Sequence, residues 1–251
     1  MKLLLLSDIQ GNESALEAVL SHRDAQQADA VVCLGDVACG PSPSAVIAGL
    51  QSVGAYCVRG NMDEVIAAPS APAAEAETSS EPFEAIDRWC SAQLSARQRQ
   101  WLASRPLTFE LELKGDITLL ACHGSPRSVD EVIAPDSPAA DVLAATGDWQ
   151  TGILAVGHLH QSMLRWIGEL LVLHPGSVGW PEPGSGVPHP GRPRATTRRP
   201  LRASFALVQC SDGNLQVQFH TVPYRFEALR REVLQSGMPH GIWYLEHWEA
   251  H

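Results

Sequence analysis

The sequence predicts an α/β protein, of the mixed α+β kind, in which two β-sheets pack together with helices outside. Three observations carry that expectation. The first sixty residues alternate short apolar runs with amphipathic stretches on short links, the strand–helix–strand–helix–strand pattern of parallel βαβ units. The later chain instead pairs apolar runs around tight turns, the pattern of antiparallel hairpins. Finally, 251 residues with 45% hydrophobic and 18% charged side chains suffice for a buried core without disulfide or metal staples, and exclude global disorder.

The elements follow in order. Leu3–Leu6 is a short apolar run closed by Ser7-Asp8, hence a buried strand. It falls short of the roughly 7–15 apolar residues of a signal segment and the about 20 of a membrane span, so a cytoplasmic protein without membrane contact is expected. Ser14 to about Gln27 reads as a helix, with Leu16, Val19 and Leu20 on one face and Glu13 at its start. Ala30–Leu34 is a second strand. Ser44–Gln51 is a second helix, entered through Pro41 and Pro43 with Ser44 as candidate N-cap. Ala55–Val58 is a third strand. Pro69–Pro82 is low in complexity and reads as a flexible loop over 69–82.

Phe83 to about Ala103 returns to helical spacing, with Ile86, Trp89, Cys90 and Leu94 on one face. Leu107–Leu113 and Ile117–Cys122 form a hairpin around Lys114-Gly115-Asp116. Ser137–Ala145 is a short helix and Ile153–Val156 a buried strand. Met163–Ile167 and Leu170–Leu173 flank Gly168-Glu169 as a second hairpin. Pro181–Ala203 holds six prolines, three glycines and five arginines and reads as a flexible basic loop over 181–203. Phe205–Cys210 and Leu215–Val222 flank the turn Asp212-Gly213, and Glu227–Gln235 is a final helix. All of this fits one domain over 1–251.

Charge and cysteine usage narrow the function. Against 28 acidic residues stand 18 Lys and Arg, a formal charge of −10, whereas a protein holding nucleic-acid backbone is ordinarily basic. No stable nucleic-acid complex is therefore expected. The six cysteines form no C-x-x-C pair, which argues against a zinc knuckle and for a reduced compartment. The arginines at 192, 194, 198, 199 and 202 either steer an anion or form a solvated loop.

The chemistry lies in the turns after the strands. Asp8 and Gln10 follow the first strand, Gly35-Asp36 the second, and Gly60-Asn61-Met62-Asp63 the third. His123-Gly124 and Gly157-His158-Leu159-His160 follow two later ones. In open α/β sheets the carboxyl ends of strands form the ligand crevice. These oxygen and imidazole donors, without thiolate, suit Mn²⁺, Fe²⁺, Zn²⁺ or Ni²⁺. Seven donors exceed one four-coordinate zinc and fit two ions that share a carboxylate, which together could hold a phosphoryl group and activate a water.

The same residues carry a resemblance. Asp8-Ile9-Gln10, Gly35-Asp36, Gly60-Asn61-Met62-Asp63, His123 and Gly157-His158-Leu159-His160 resemble the calcineurin-like metallophosphoesterase pattern D-x-H, G-D, G-N-[H/C]-[D/E], H, G-H-x-H. The stretches His123-Gly124-Ser125-Pro126-Arg127 and Pro175-Gly176-Ser177-Val178-Gly179 are similar to its bacterial branch of small phosphodiesterases and of protein phosphatase-like and diadenosine tetraphosphatase-like proteins. The likeness runs from residue 3 to about 235. It implies a four-layer αββα sandwich of two mixed sheets flanked by helices. It also implies a pair of divalent metal ions. Asp8, Gln10, Asp36 and His160 would surround the first. Asp36 would bridge to a second completed by Asn61, His123 and His158. Asp36, Asn61 and His123 would be the residues closest to the reaction, and a small phosphorylated compound or nucleotide the substrate.

Two positions depart from the pattern. Gln10 stands where the family has histidine and offers only an amide oxygen, so a loosely held first metal or a harder ion is expected. Met62 stands where many relatives place a histidine and can neither donate a proton nor stabilise charge, which favours good leaving groups such as aryl esters or anhydrides. Both departures are also what a binding scaffold that has lost catalysis would show. Retention of six other donors opposes that reading, since clustered carboxylates without a cation repel one another. A nuclease of the double-strand-break repair type fits poorly with an acidic chain. Around the centre, Asn12 is a candidate substrate contact or a helix cap, and Arg127 a phosphate clamp or a surface arginine. Asp63 reads as an orienting carboxylate or a turn former. His174, where relatives often have Asn, reads as structural.

Overall fold

Alternation along the central strand divides the molecule into layers. In strand β1 (Lys2–Leu6), Leu3 and Leu5 face one side and Leu4 and Leu6 the other. The computed structural model describes residues 1–68, 81–180, 201–211 and 214–249, with side chains to 246. One sheet runs β10 (Asn214–Pro223), β9 (Arg202–Ser211), β1, β2 (Ala30–Cys33), β3 (Tyr56–Cys57). The other runs β4 (Thr108–Glu112), β5 (Thr118–Cys122), β6 (Thr151–Ala155), β8 (Glu169–His174), β7 (Met163–Ile167). Pairs β1–β2, β2–β3, β5–β6 and β6–β8 are parallel and the others antiparallel.

Leu3, Leu5, Val32 and Leu34 meet Leu119, Ala121, Ile153, Ala155, Leu171 and Leu173 between the sheets. The opposite face of the first sheet carries Leu4, Leu6, Phe205 and Leu207. It packs on α1 (Glu13–Leu20), α2 (Pro43–Ser52), α4 (Pro82–Gln93), α5 (Ala96–Ala103), α7 (Phe226–Ser236) and α8 (Gly241–Glu249). Leu120, Leu154 and Val172, on the outer face of the second sheet, pack on Val142 of α6 (Ala139–Thr146). The expected αββα sandwich of two mixed five-stranded sheets is therefore the fold.

Several boundaries differ from the sequence reading. Helix α1 stops at Leu20, not Gln27; Ser21 closes it, and the chain turns through a 3-10 helix at Ala25–Gln27. Apolar spacing lapses after Leu20, so nothing holds further turns to the core. Helix α2 begins at Pro43, with Ser42 at the cap position, while Ser44 Oγ donates to the Gln93 carbonyl. The stretch expected as one helix to Ala103 is two, because Ser95 and Gln98 form a capping box that starts α5.

Pro82, expected in a loop, is the first residue of α4, where a missing amide is harmless. Residues 69–80 lie outside the described residues. So do 181–200, with four of the five loop arginines; Arg202 and Ala203 belong to β9, paired with Pro223 and Val222. The Asp212-Gly213 turn is likewise outside them. Two helices went unread: α3 (Asn61–Ala67), whose first turn looks like loop chemistry, and α8. All six cysteines are buried and unpaired. Among the described residues no helix is long and apolar enough to cross a membrane.

Candidate metal centre

The loops after β1, β2, β3, β5 and β6 meet at one end of the two sheets, and their backbones are strained there. Among the described residues seven other than glycine have positive φ, and five of them are Asp8, Gln10, Asp36, His158 and His160. A left-handed residue other than glycine costs on the order of 1 kcal/mol, so this concentration marks a place where side-chain aim overrides backbone preference.

Asp8 is fully buried. Ser7 Oγ donates to its Oδ2 at 2.6 Å, the His158 amide donates to Oδ1 at 3.3 Å, and His160 Nε2 lies 3.4 Å from Oδ1. Burial alone would raise its carboxyl, but the charge of His160 and hydrogen bonding from that ring hold it well below the usual carboxylate range. Gln10 Nε2 donates to Asp36 Oδ2 at 2.9 Å. The other oxygen of Asp36 accepts the Met62 amide at 2.9 Å and lies 3.5 Å from His123 Nε2. One Asp36 oxygen thus faces the Gln10 side and the other faces His123. Nearest-approach ligand atoms of Asp8, Asp36 and His123 all lie within 4.8 Å of one another.

The tautomer of His123 bears on what the centre can hold. Its Nδ1 sits 2.7 Å from the Leu34 carbonyl, which can only accept, so Nδ1 carries a proton. In the neutral ring Nε2 is then a lone pair, directed at Asn61 Oδ1 (3.0 Å) and Asp36 Oδ1 (3.5 Å), two further acceptors. His158 Nδ1 approaches the same Asn61 oxygen at 3.2 Å. Convergent buried acceptors need a cation or a proton between them. Asp36, Asn61, His123 and His158, with Asp8 close by, therefore suit a divalent cation, whereas Gln10 turns its amide nitrogen toward Asp36. Burial would lower the basicity of His123, but Asp36 and Asp8 outweigh it and raise it. Asp8 likewise outweighs burial at His160. His158 shifts down, through burial and the neighbouring His123.

Opposite pH dependences are expected with and without metal. In chelator, His123 and His160 contribute stability that is fully present below their unfolded pKa, ordinarily 6.5, and is lost as pH rises through the raised folded values. With Mn²⁺ present, ligation requires both rings deprotonated, so stability should rise over the same window. Thermal melts between about pH 6 and 8.5 check this; parallel slopes in the two conditions would sink it.

Other expected residues are placed differently. Asn12, read as a substrate contact or a helix cap, is the cap and is fully buried: its oxygen accepts the Ala15 amide at the start of α1 (3.0 Å), and its nitrogen donates to the Gly179 carbonyl and Tyr224 hydroxyl (3.2 Å each). No group is left for a ligand. Arg127, read as a phosphate clamp or a surface arginine, is a surface residue, more than half exposed. Its guanidinium is engaged by Glu131 and the Ala144 carbonyl, not by the cluster. Asp63 orients no imidazole; its carboxylate accepts the amides of Asp36, Val37 and Gly60 and ties α3 to the loop after β2.

Ser7, Ser177 and His174 also reach the centre. Ser177 Oγ donates to the Asp8 carbonyl. His174 is fully buried behind Asp8, with Nε2 3.9 Å from Oδ2, and burial lowers its pKa to about 4. A cavity of about 260 Å³ opens on the cluster, with Gln10, Asp36, Asn61, Met62, His158 and His160 on one side and Phe83, Ile86, Trp180 and Tyr244 on the other. A larger depression of about 340 Å³, around Thr118, Thr151 and Trp166, lies at the opposite strand ends and contains no expected donor.

Fold and site together define a metallophosphoesterase-type protein. The calcineurin-like phosphoesterase superfamily domain matches residues 1–189, and the chain belongs to that superfamily. Its structure is similar to the metallophosphoesterase from Sphaerobacter thermophilus (26% identity, 99% of each chain, TM-score 0.71). It is also similar to hypothetical protein PH1004 from Pyrococcus horikoshii OT3 (21% identity, 98% of each chain, TM-score 0.78). In sequence it is similar to the uncharacterized protein MJ0912 of Methanocaldococcus jannaschii, 23% identical over 239 residues, 94% of this chain and 93% of the other.

Proposed function

We propose that the protein is a metal-dependent phosphoesterase acting on small phosphorylated compounds, with a phosphodiester bearing an aromatic or apolar group as its best substrate. The observation that carries this is Asp36, whose two oxygens face two separate donor sets. Asp8, Gln10 and His160 form one set; Asn61, His123 and His158 form the other. Two divalent cations, of Mn, Fe, Zn or Ni type, would supply Lewis acidity and a water nucleophile at neutral pH. Gln10 gives the first ion only an amide oxygen, so that ion is the looser of the two.

The chain's own residues account for selectivity. Among the described residues no Lys or Arg lines the cavity, so among them phosphate charge would be offset chiefly by the ions and the site histidines. A singly charged diester suits that better than a dianionic monoester. Phe83, Ile86 and Trp180 offer an apolar wall for its substituent. Met62 cannot protonate a departing oxygen, so esters whose leaving group departs as a stable anion are favoured. Acidic net charge favours small substrates over nucleic-acid polymers.

Bis-p-nitrophenyl phosphate, p-nitrophenyl phosphate and a dialkyl phosphate should be compared with added Mn²⁺. The diaryl ester should turn over fastest, by about 100-fold or more over the alkyl ester, because no side chain assists the leaving oxygen. Equal rates on aryl and alkyl esters would remove the argument from Met62. Absence of any metal-dependent turnover would leave a binding scaffold.

A further inference from the structure

A second group of metal-type donors lies away from this centre. His22 and Asp24 sit in the tight turn after α1, where the His22 amide donates to the Val19 carbonyl and the Gln26 amide to the His22 carbonyl. His220 lies on β10, the edge strand of its sheet, paired with Phe205 of β9. Rings fix both imidazoles: His220 stacks on Phe205 at 5.0 Å, and His22 packs edge-on against Phe205 at 5.3 Å and against His220 at 5.5 Å. Ligand atoms of His22, Asp24 and His220 all lie within 4.8 Å of one another.

The donors are not otherwise engaged. His220 Nε2 is buried without a hydrogen-bond partner. Asp24 occupies the N-cap position of the 3-10 helix, where an aspartate ordinarily accepts an amide, yet its side chain makes no cap bond. His22 Nδ1 accepts only the Asp24 amide, at a long 3.3 Å. Two imidazoles and a carboxylate on two rigid elements are the donor set of a three-ligand zinc site, completed by water. Zinc bonds of about 2.0–2.1 Å require the three atoms to close together by roughly 1 Å, within the reach of a side-chain rotation.

We infer that His22, Asp24 and His220 form a separate site for a divalent transition metal of zinc type, which fastens the end of α1 to the edge strand β10. The site shares no residue with the cluster around Asp36.

The tautomer of His22 gives a specific signature. Whichever ring nitrogen takes the ion, Nδ1 then holds either the ion or the ring proton, so it can no longer accept the Asp24 amide. In ¹⁵N-resolved spectra of the full chain, the Asp24 amide signal should shift on adding Zn²⁺, in the wild type and in Asp36→Asn alike. Zinc counted after dialysis should fall by one equivalent in His22→Ala/His220→Ala, with Mn²⁺-dependent phosphoesterase turnover within about twofold of wild type, a small fraction of a tenfold step. If the double variant does not fold, Asp24→Asn keeps the shape and should weaken zinc binding about tenfold or more (1.4 kcal/mol per tenfold). An Asp24 amide that stays in place, or the same zinc count in all variants, overturns the site.

Discussion

Replacement of Asp36 by asparagine should abolish metal-dependent turnover while leaving the metal-free protein, at an alkaline pH where His123 is neutral, as stable as before, or more so. Two effects separate cleanly here. Asp36 is the one carboxylate with an oxygen toward each donor set, so its loss should lower turnover at least about 10³-fold, some 4 kcal/mol of transition-state stabilisation. Without metal and with His123 neutral, however, the negative charge of Asp36 is a burden. It lies near the buried Asp63, whose carboxyl burial and Asp36 together push up to about 7. It also lies within 4.8 Å of Asp8. A neutral amide of the same shape keeps the oxygen that accepts the Met62 amide and removes that repulsion. The rise in melting temperature that Mn²⁺ gives the wild type, up to about 4 kcal/mol of stabilisation at a thousandfold excess over Kd, should vanish in the variant. Melts in chelator and in Mn²⁺, beside turnover of the diaryl ester, check both halves. A metal-free variant much less stable than wild type would mean that Asp36 serves the fold, not the ions.

The separation of fold from site explains what the sequence disclosed. Strand ends were legible because the change is local: Leu3–Leu6 gives way at once to Ser7-Asp8, and a polar donor just past a buried strand has few places to go. The donors around Asp36 could therefore be gathered from five short motifs. What a side chain does once there is set by partners far along the chain. Asn12 is fastened by Gly179 and Tyr224, 167 and 212 residues away, and no local pattern announces either. Arg127 is taken by Glu131 four residues on, a helix-like spacing in a stretch that looked like site sequence. The apolar wall was equally hidden, since Phe83, Trp180 and Tyr244 come from three segments that meet only in the folded chain. Helix α3 was missed for a related reason: Asn61 and Asp63 are poor helix formers, and the helix they open rests on tertiary support, through Asp63 and the amides of Asp36, Val37 and Gly60.

That support makes Gly60 a sensitive backbone position in the centre. Its φ of −95° is open to any residue, so conformational freedom is not the issue. Space is. A Cβ at Gly60 would run into the backbone amide and the near carboxylate oxygen of Asp36, with the carboxyl carbon at 3.0 Å. Those atoms cannot yield independently, because the Asp36 amide is held by Asp63 and the oxygen by the Met62 amide. Gly60→Ala should therefore displace Asp36 as a unit, destabilising the protein by about 2–3 kcal/mol, as overpacking does. Turnover should fall about 100-fold from a shift near 1 Å at the reacting site. Gly168, in the β7–β8 turn, supplies the contrast. Its φ is +60° and nothing lies within 4 Å of an added Cβ, so Gly168→Ala should cost about 1 kcal/mol of left-handed strain and leave turnover unchanged. Urea melts and turnover of the diaryl ester on both variants distinguish the cases. Equal losses of stability with full activity in both would show that Asp36 can move without consequence, which the two-sided placement of its oxygens does not allow.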